Sequence, residues 1–547
     1  MESYFVGVDV GTGSVRAALV TRNGRLLRMS SEETRTWSPN VGYFEQSTDD
    51  IWRAVCRVVK DVTKNVASSA VKGIGFDATC SLAVVDVDGN PLSISPTAGN
   101  NEQNVILWLD HRAFDEAEFI NSLKHPVLNY VGGKISLEME TPKLLWLKKN
   151  LKEQCWNKAG YFFDLPDFLT WRATGSDSRS LCSLVCKWTY EAHPSGNRGW
   201  NEDYFRKIGL LDLMEQNWKK IGSVVKEPGS PCGNGLSEQA AGELGLQCGT
   251  PVGTSIIDAH AGGLGMIGCT AGSVCQNFQT RLSLICGTST CHMAVHKDAL
   301  FVEGVWGPYY SAMVPGYWLS EGGQSATGKL IDHLIDSHPA TAQLKAKTGK
   351  NMHIQQYLND LLESMAKKQG IDSVSTLTSD IHVWPDFHGN RSPLADPSLL
   401  GMICGLTLVA DEENLALIYL ATIQALAYGT LHIIDVLCSA GHSNIQSLLV
   451  CGGLSRNPLF VQTQADVANL SILCPRESES VLVGAAILGA CAAGAFPDVQ
   501  TAIKAMGGDA DIVHPRDEEH RYHQKKYKVF LKMVEHQREY RAIMSQK

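Results

Sequence analysis

The chain opens on apolar, strand-forming residues broken by one small-residue turn. Phe5-Val-Gly-Val-Asp-Val-Gly-Thr-Gly-Ser-Val-Arg-Ala-Ala-Leu-Val20 predicts a β-hairpin with a Gly-Thr-Gly-Ser tip and one Asp inside its first strand. The pattern returns in Arg281-Leu-Ser-Leu-Ile-Cys-Gly-Thr-Ser-Thr-Cys-His-Met-Ala-Val295. Between the two hairpins, residues 50–66 carry Ile51, Val55, Val58, Val59, Val62 and Val66 at helical spacing, with Ser47 and Thr48 as caps. Residues 71–77 and 82–87 read as strands, the second closed by an Asp88-Gly89 turn. Residues 249–258 predict a strand that ends in a carboxylate and leads into a small-residue helix, Ala259-His-Ala-Gly-Gly-Leu-Gly265. Further on, residues 415–437 predict a long apolar helix and Leu448-Leu-Val-Cys-Gly-Gly453 a strand and turn. Residues 481–496 predict a Gly- and Ala-rich helix pressed against a neighbour, and residues 344–374 a helical insertion at the surface. Strands alternating with helices place the chain in the α/β class.

A length of 547 residues exceeds what one hydrophobic core serves. Two large domains are expected, residues 1–270 and 271–547. The net charge of −9 argues against a nucleic-acid partner, which demands a basic face. The basic residues 521–547 interleave Tyr522, Tyr527, Phe530, Leu531 and Val534 with charges, and read as a solvated amphipathic helix. The sixteen cysteines sit mostly in apolar runs, as at Cys286, Cys404 and Cys451, without paired CxxC motifs. That usage fits a reducing compartment and gives zinc no support. The longest apolar stretch, residues 481–496, is short for a membrane span, and no cationic, apolar leader precedes the first strand. The expectation is a soluble cytoplasmic protein with no membrane partner.

Each hairpin tip offers backbone N–H groups and small hydroxyls suited to phosphate oxygens. One alone reads as an ordinary turn; the repetition points to a duplicated pair gripping a polyphosphate, hence nucleotide binding. Three apolar runs carry one Asp at or near their C-terminal ends: Asp9, Asp77 and Asp258. Ligands of open α/β sheets collect beyond such strand ends. A buried carboxylate is costly unless it faces a metal, a donor or water. Phosphoryl transfer needs a metal anchor near the phosphates and a base at the attacking hydroxyl. Asp9, beside the first turn, suits magnesium held through water; Asp258, apart from both turns, suits the hydroxyl.

Two letter-matches mislead. Gly323-Gln-Ser-Ala-Thr-Gly-Lys329 nearly spells a P-loop, but Leu330 stands where a magnesium-binding hydroxyl belongs, and Glu321 would repel a triphosphate. Gly263-Leu-Gly-Met-Ile-Gly268 matches a dinucleotide fingerprint, but it does not directly follow a strand, and the next acid is Asp298. It reads as a helix-packing face.

In this order the motifs resemble the FGGY carbohydrate kinases, of the actin/hexokinase/Hsp70-like ATPase fold with two duplicated ribonuclease H-like domains and a cleft between them. The resemblance covers nearly the whole chain. It rests on Gly-x-Asp-x-Gly-Thr-x-Ser-x-Arg at Gly7 to Arg16, Trp108-Leu-Asp-His-Arg112, the Asp258 strand, Gly287-Thr-Ser-Thr290 and Gly452-Gly453-x-Ser455-x-Asn457. It implies ATP and magnesium. Gly11, Thr12, Gly13, Ser14, Arg16, Gly287, Thr288 and Ser289 would meet the phosphates, and Gly452, Gly453 and Asn457 the adenosine.

Within the family, Asp77-Ala-Thr-Cys-Ser81 and Glu321-Gly-Gly-Gln-Ser-Ala-Thr-Gly328 resemble the ribulokinase group. The Arg-Glu pair of glycerol-phosphorylating members and the Met-His of xylulokinases are missing. By that match Asp77, Cys80, Lys187, Asp258 and Glu321 would line the sugar site. Without it, Lys187 reads equally as a surface lysine snorkelling from an apolar helix, and Cys80 as packing. Gly389-Asn-Arg-Ser-Pro393 departs from the family's Gly-Glu-Arg pattern and lacks one carboxylate. The implied activity is ATP-dependent phosphorylation of the terminal primary hydroxyl of a ketopentose, D-ribulose first, with L-ribulose, xylulose and ribitol open. A chaperone or filament protein and a silent sugar sensor on this fold are the alternatives. The oligomeric state stays open, a homodimer included.

Overall fold

Both hairpins form where the pattern puts them, and each nucleates a sheet of the same topology. In the first half Tyr4–Val10 pairs antiparallel with Ser14–Thr21, setting Asp9 opposite Arg16. Leu26–Glu33 extends the sheet antiparallel on one side; Val71–Ala78 and then Val252–Ile257 run parallel on the other. In the second half Arg281–Cys286 pairs with Thr290–His296, Trp318–Gln324 adds antiparallel, and Ser447–Cys451 and Ser471–Pro475 add parallel. Counted from each hairpin, both sheets run third-second-first-fourth-fifth. The second also has edge strands Trp306–Tyr310 and Ala510–Val513. This is the duplicated two-domain α/β fold that the motifs imply. The computed structural model describes residues 3–96, 102–349, 352–442 and 444–545.

The first long helix, Thr48–Val62, is capped by Ser47, whose Oγ accepts the Asp50 N–H at 3.3 Å. Its valine stripe packs beneath the first sheet. It stops four residues short of the expected end, because Asn65 adopts left-handed backbone (φ 62°) beside exposed Lys64.

The halves interlock. The Ser480–Ala492 helix comes from the second half, yet it lies against Tyr4–Val10, Val71–Ala78 and Val252–Ile257 and crosses the Asp258–Met266 helix. Glycine permits the crossing: a Cβ on Gly265 would stand 1.9 Å from the Ser480 carbonyl oxygen, and one on Gly484 2.0 Å from that of Ala261. The fingerprint-like run at 263–268 is thus a packing face. One buried cluster accordingly mixes Ile256 and Leu264 with Leu482 and Ile487.

Three expectations change in detail. The Glu412–Ser439 helix is long and apolar enough by composition to cross a membrane, but 78% of its apolar window is buried inside the fold. Of the surface insertion, Ile354–Gln369 buries Leu358 and Leu362 in the second core. The C-terminal helix, Asp517–Ser545, is only partly solvated: Phe530, Met533 and Val534 pack with Trp384 and Tyr428. Residues 546 and 547 lie outside the described residues. All sixteen cysteines are free; Cys286 and Cys451 are buried, whereas Cys404 is exposed.

Candidate functional site

The three strand-end carboxylates meet. Asp9 and Asp77 are register partners on adjacent parallel strands, and Asp258 follows directly on the next strand as the first residue of its helix. Arg16 donates to Asp9 Oδ2 through Nε at 2.8 Å and through a second nitrogen. Among the described residues, neither oxygen of buried Asp77 has a hydrogen-bond partner. Burial, then the facing Asp9 carboxylate, raises the Asp77 pKa well above the ordinary value. Asp258 Oδ1 accepts its neighbour's Ala259 N–H at 2.7 Å. Burial, reinforced by the Asp9 charge, pushes its pKa from 3.8 to about 7. Asp258 therefore stands less apart from the first hairpin than chain order suggests.

Arg16 also ties the halves together, donating to Glu479 at 2.7 Å; the other Glu479 oxygen lies 3.3 Å from Arg456. Asp9, Arg16, Glu479 and Arg456 alternate in sign from the first hairpin to the Gly453–Arg456 turn. Glu479 went unrecognised in the sequence, since one acid before an apolar helix reads as a favourable N-terminal charge.

Both hairpin tips are exposed. At the first, Thr12 Oγ1 accepts the Trp108 indole N–H at 3.0 Å, and the Thr12 carbonyl accepts from Gln46 Nε2 at 2.8 Å. Gly11 N–H donates to Ser14 and Gly287 N–H to Ser289, at 2.9 and 2.8 Å. Those two N–H groups close their own turns. Thr12, Gly13 and Thr288 are the solvent-facing tips.

Gly452 (φ 89°) packs against the second hairpin, where a Cβ would stand 2.4 Å from the Cys286 carbonyl oxygen; Gly453 faces open space. Asn457 is a buried N-cap. Its Oδ1 accepts from Leu459 and Phe460 N–H, and its Nδ2 donates to Tyr419 and Gln355. The P-loop lookalike does form strand, turn and helix, but its helix N-terminus is already used. Gly328 N–H donates to the Gly287 carbonyl at 3.1 Å and Lys329 N–H to that of Thr288 at 3.3 Å.

A second charged group is reached through His260, two residues after Asp258 on the same helix. Glu321, on the Trp318–Gln324 strand, accepts from Arg391 at 2.6 Å and lies 3.5 Å from His260 Nε2. Burial opposes its charge, but Lys187, His260 and Arg391 hold its pKa below the usual value. Lys187 ends the Leu181–Lys187 helix, fully buried, 3.9 Å from Glu138 and 4.3 Å from the Trp306 ring centroid. It is not a snorkelling surface lysine. Burial opposes its charge, and Cys80, Glu321 and Glu138 more than offset that. Arg391 stacks on the same Trp306 ring at 4.2 Å. Cys80 is buried beside Lys187, its thiol pushed well up by burial.

The predicted residues thus assemble as a carboxylate corner (Asp9, Asp77, Asp258), two exposed turns, and a buried cationic cluster around Glu321. Glu138, His260, Trp306 and Arg391 escaped the sequence reading. Arg391 alone has a signal, inside Gly389-Asn-Arg-Ser-Pro393.

The N-terminal domain of the FGGY family of carbohydrate kinases matches residues 4–265, and its C-terminal domain matches residues 282–493. An FGGY carbohydrate kinase domain-containing protein of Homo sapiens is 54% identical across 100% of this chain and 98% of its own. A D-ribulokinase of Saccharomyces cerevisiae is 38% identical across 90% of this chain and 72% of its own. The xylulose kinase structure from Rhodospirillum rubrum aligns with a TM-score of 0.78 over 98% of this chain and 99% of that one, at 18% identity, a likeness of fold.

Proposed function

The chain belongs to the FGGY family of carbohydrate kinases, phosphotransferases acting on sugar hydroxyl groups, and we propose that it uses ATP to phosphorylate the terminal primary hydroxyl of a ketopentose, D-ribulose before others. One observation carries the mechanism. Asp258 feels Asp9 and Arg16 on the phosphate side and Lys187 on the pocket side. It is the group through which a phosphate donor and a sugar acceptor would meet.

With Oδ1 fixed by the Ala259 N–H, Oδ2 is left to take the acceptor hydroxyl's proton. A pKa of about 7 suits a base working near neutrality. Glu321, held ionised by Lys187 and Arg391, accepts hydrogen bonds from sugar hydroxyls, and Lys187 donates one. Asp77 and Cys80 wall the pocket. The tips at 12–14 and 287–289 receive the phosphates, and Gly453 lets adenosine approach; Asn457, its polar atoms engaged, positions that turn. The residues also fit magnesium: hard oxygen donors converge, and neither buried Asp77 oxygen has a hydrogen-bond partner among the described residues. Asp9 and Asp77 would hold the ion. Bound there, it would neutralise charge on the phosphoryl oxygens.

The halves, divided near residue 270, close over the reactants and exclude water. Sixteen free thiols support a reducing, cytoplasmic setting. The relative acting on D-ribulose supports that substrate. A coupled ADP-release screen over pentuloses, polyols and glycerol tests the reading: a ribulose should stimulate turnover far more than glycerol. Equal or greater turnover with glycerol overturns the substrate assignment and leaves the kinase chemistry standing.

A further inference from the structure

Beneath Glu321 lies a cluster that the phosphoryl-transfer chemistry does not use. Cys182 and Cys186, one helical turn apart on Leu181–Lys187, face His260 of the Asp258–Met266 helix, and all three are fully buried. Their two sulfurs and one ring nitrogen lie within 4.8 Å of one another. Cys186 Sγ is 3.6 Å from His260 Nε2, which is 3.5 Å from Glu321 Oε2.

A tetrahedral zinc ion has bonds of about 2.3 Å to sulfur and about 2.0–2.2 Å to nitrogen and oxygen, so its sulfur–nitrogen edge is about 3.6 Å and its nitrogen–oxygen edge about 3.4 Å. The Cys186–His260 edge already has the first of these lengths. Glu321 Oε2 stands at about the second from His260 but outside the group of three whose ligand atoms all lie within 4.8 Å of one another, so its carboxylate must swing toward the sulfurs to complete the tetrahedron. Glu321 Oε2, the oxygen facing His260, is a buried atom without a hydrogen-bond partner among the described residues. His260 Nδ1 is another, so the ring is not committed to a tautomer that would block Nε2 as a ligand. The spacing hid the site in the sequence: Cys-x-x-x-Cys on a helix is not a paired CxxC motif, and its imidazole comes from the residue two after Asp258.

We propose that Cys182, Cys186, His260 and Glu321 form a binding site for one soft divalent cation of the zinc class, distinct from the oxygen-only magnesium corner. Two thiolates and an imidazole select zinc, cadmium or cobalt over magnesium. Binding displaces the thiol protons into solvent, so two protons leave for each ion bound. Lys187 and Arg391 beside the site offset the excess negative charge of two thiolates and one carboxylate around a dication. Occupancy withdraws Glu321 from the sugar. This consequence rests on the proposed sugar role of Glu321, and makes the ion an inhibitor competitive with sugar and indifferent to ATP.

Cobalt(II) is the probe. Titrated into the full chain in the absence of sugar, it should give a sulfur-to-cobalt charge-transfer band that saturates at one ion per chain, with tetrahedral d–d absorption. Cys182→Ala and Cys182→Ser should each lose most of the band while keeping the wild-type circular dichroism. A band unchanged in both folded variants, or no band in wild type, overturns the site. Zinc should then raise the sugar KM, reversibly with chelator, and raise it less in the Cys182 variants. A cobalt site confirmed spectroscopically whose zinc occupancy leaves the sugar KM unchanged overturns the competition and the Glu321 assignment together.

Discussion

Replacing Asp258 by Asn should yield a protein that is nearly inactive yet more stable. Folding raises this carboxyl's pKa from 3.8 to about 7, so the folded state holds the proton more tightly than the unfolded chain does. The resulting stability is fully present below pH 3.8. It is lost progressively as pH rises to about 7 and stays lost above. At about 1.36 kcal/mol per pKa unit, the wild-type carboxylate costs the fold on the order of 4 kcal/mol at alkaline pH as an upper limit, and roughly half that at pH 5.5. Asn keeps the acceptor oxygen for the Ala259 N–H and carries no charge toward Asp9, so the variant escapes this cost. Thermal unfolding in chelator, without nucleotide or metal, should show Tm raised by several degrees at pH 8.5 and by less at pH 5.5. The same variant should lose about 10²–10⁴-fold in kcat, the usual effect of removing a general base. A variant no more stable than wild type at pH 8.5 would refute the electrostatic reasoning. Wild-type kcat would refute the assignment of the base and shift attention to Asp77.

Three further outcomes follow from the geometry. Gly13→Ala and Gly287→Ala should fold normally, since the added Cβ meets nothing within 4 Å at Gly13 and only the Ser289 oxygen at 3.8 Å at Gly287. Calorimetry should show ATP affinity weakened about tenfold or more, because the added methyl at each exposed tip holds the phosphates away from the backbone N–H groups around it; unchanged affinity removes those tips from the nucleotide site. Glu321→Gln should raise the sugar KM several-fold with a smaller effect on the ATP KM, and the reverse split would return residues 323–329 to the nucleotide. Gly484→Ala should be strongly destabilising, because its Cβ would drive the Ser480–Ala492 and Asp258–Met266 helices apart; a wild-type Tm would show that this crossing is looser than the 2.0 Å clearance implies.

Local chemistry made much of this legible in the sequence. The hairpins, the Asp258 strand and the 28-residue Glu412–Ser439 helix are set by periodicity and turn residues, and they stand where the pattern puts them. The carboxylate corner was legible because each Asp interrupts an apolar run, where a charge has no packing reason to be. The pocket was less so. Lys187 and Glu321 could be named only through a family resemblance. Arg391, Glu138 and His260 come together through contacts between elements far apart in the chain, which no local pattern encodes. The same holds for the Arg16–Glu479 bridge, which spans 463 positions. The C-terminal helix looked solvated because its apolar residues are widely spaced among charges, and only the presence of Trp384 and Tyr428 reveals the face they cover.

The central claim is transfer of phosphate from ATP to the terminal hydroxyl of a ketopentose, with Asp258 as base. Phosphorus NMR of a reaction containing D-ribulose, ATP and magnesium tests it most directly. The account predicts ADP and, in equal amount, a phosphomonoester whose phosphorus couples to a CH₂ group, with both formed about 10²–10⁴-fold more slowly by Asp258→Asn. Inorganic phosphate in place of the ester, or an ester on a secondary carbon, would contradict it.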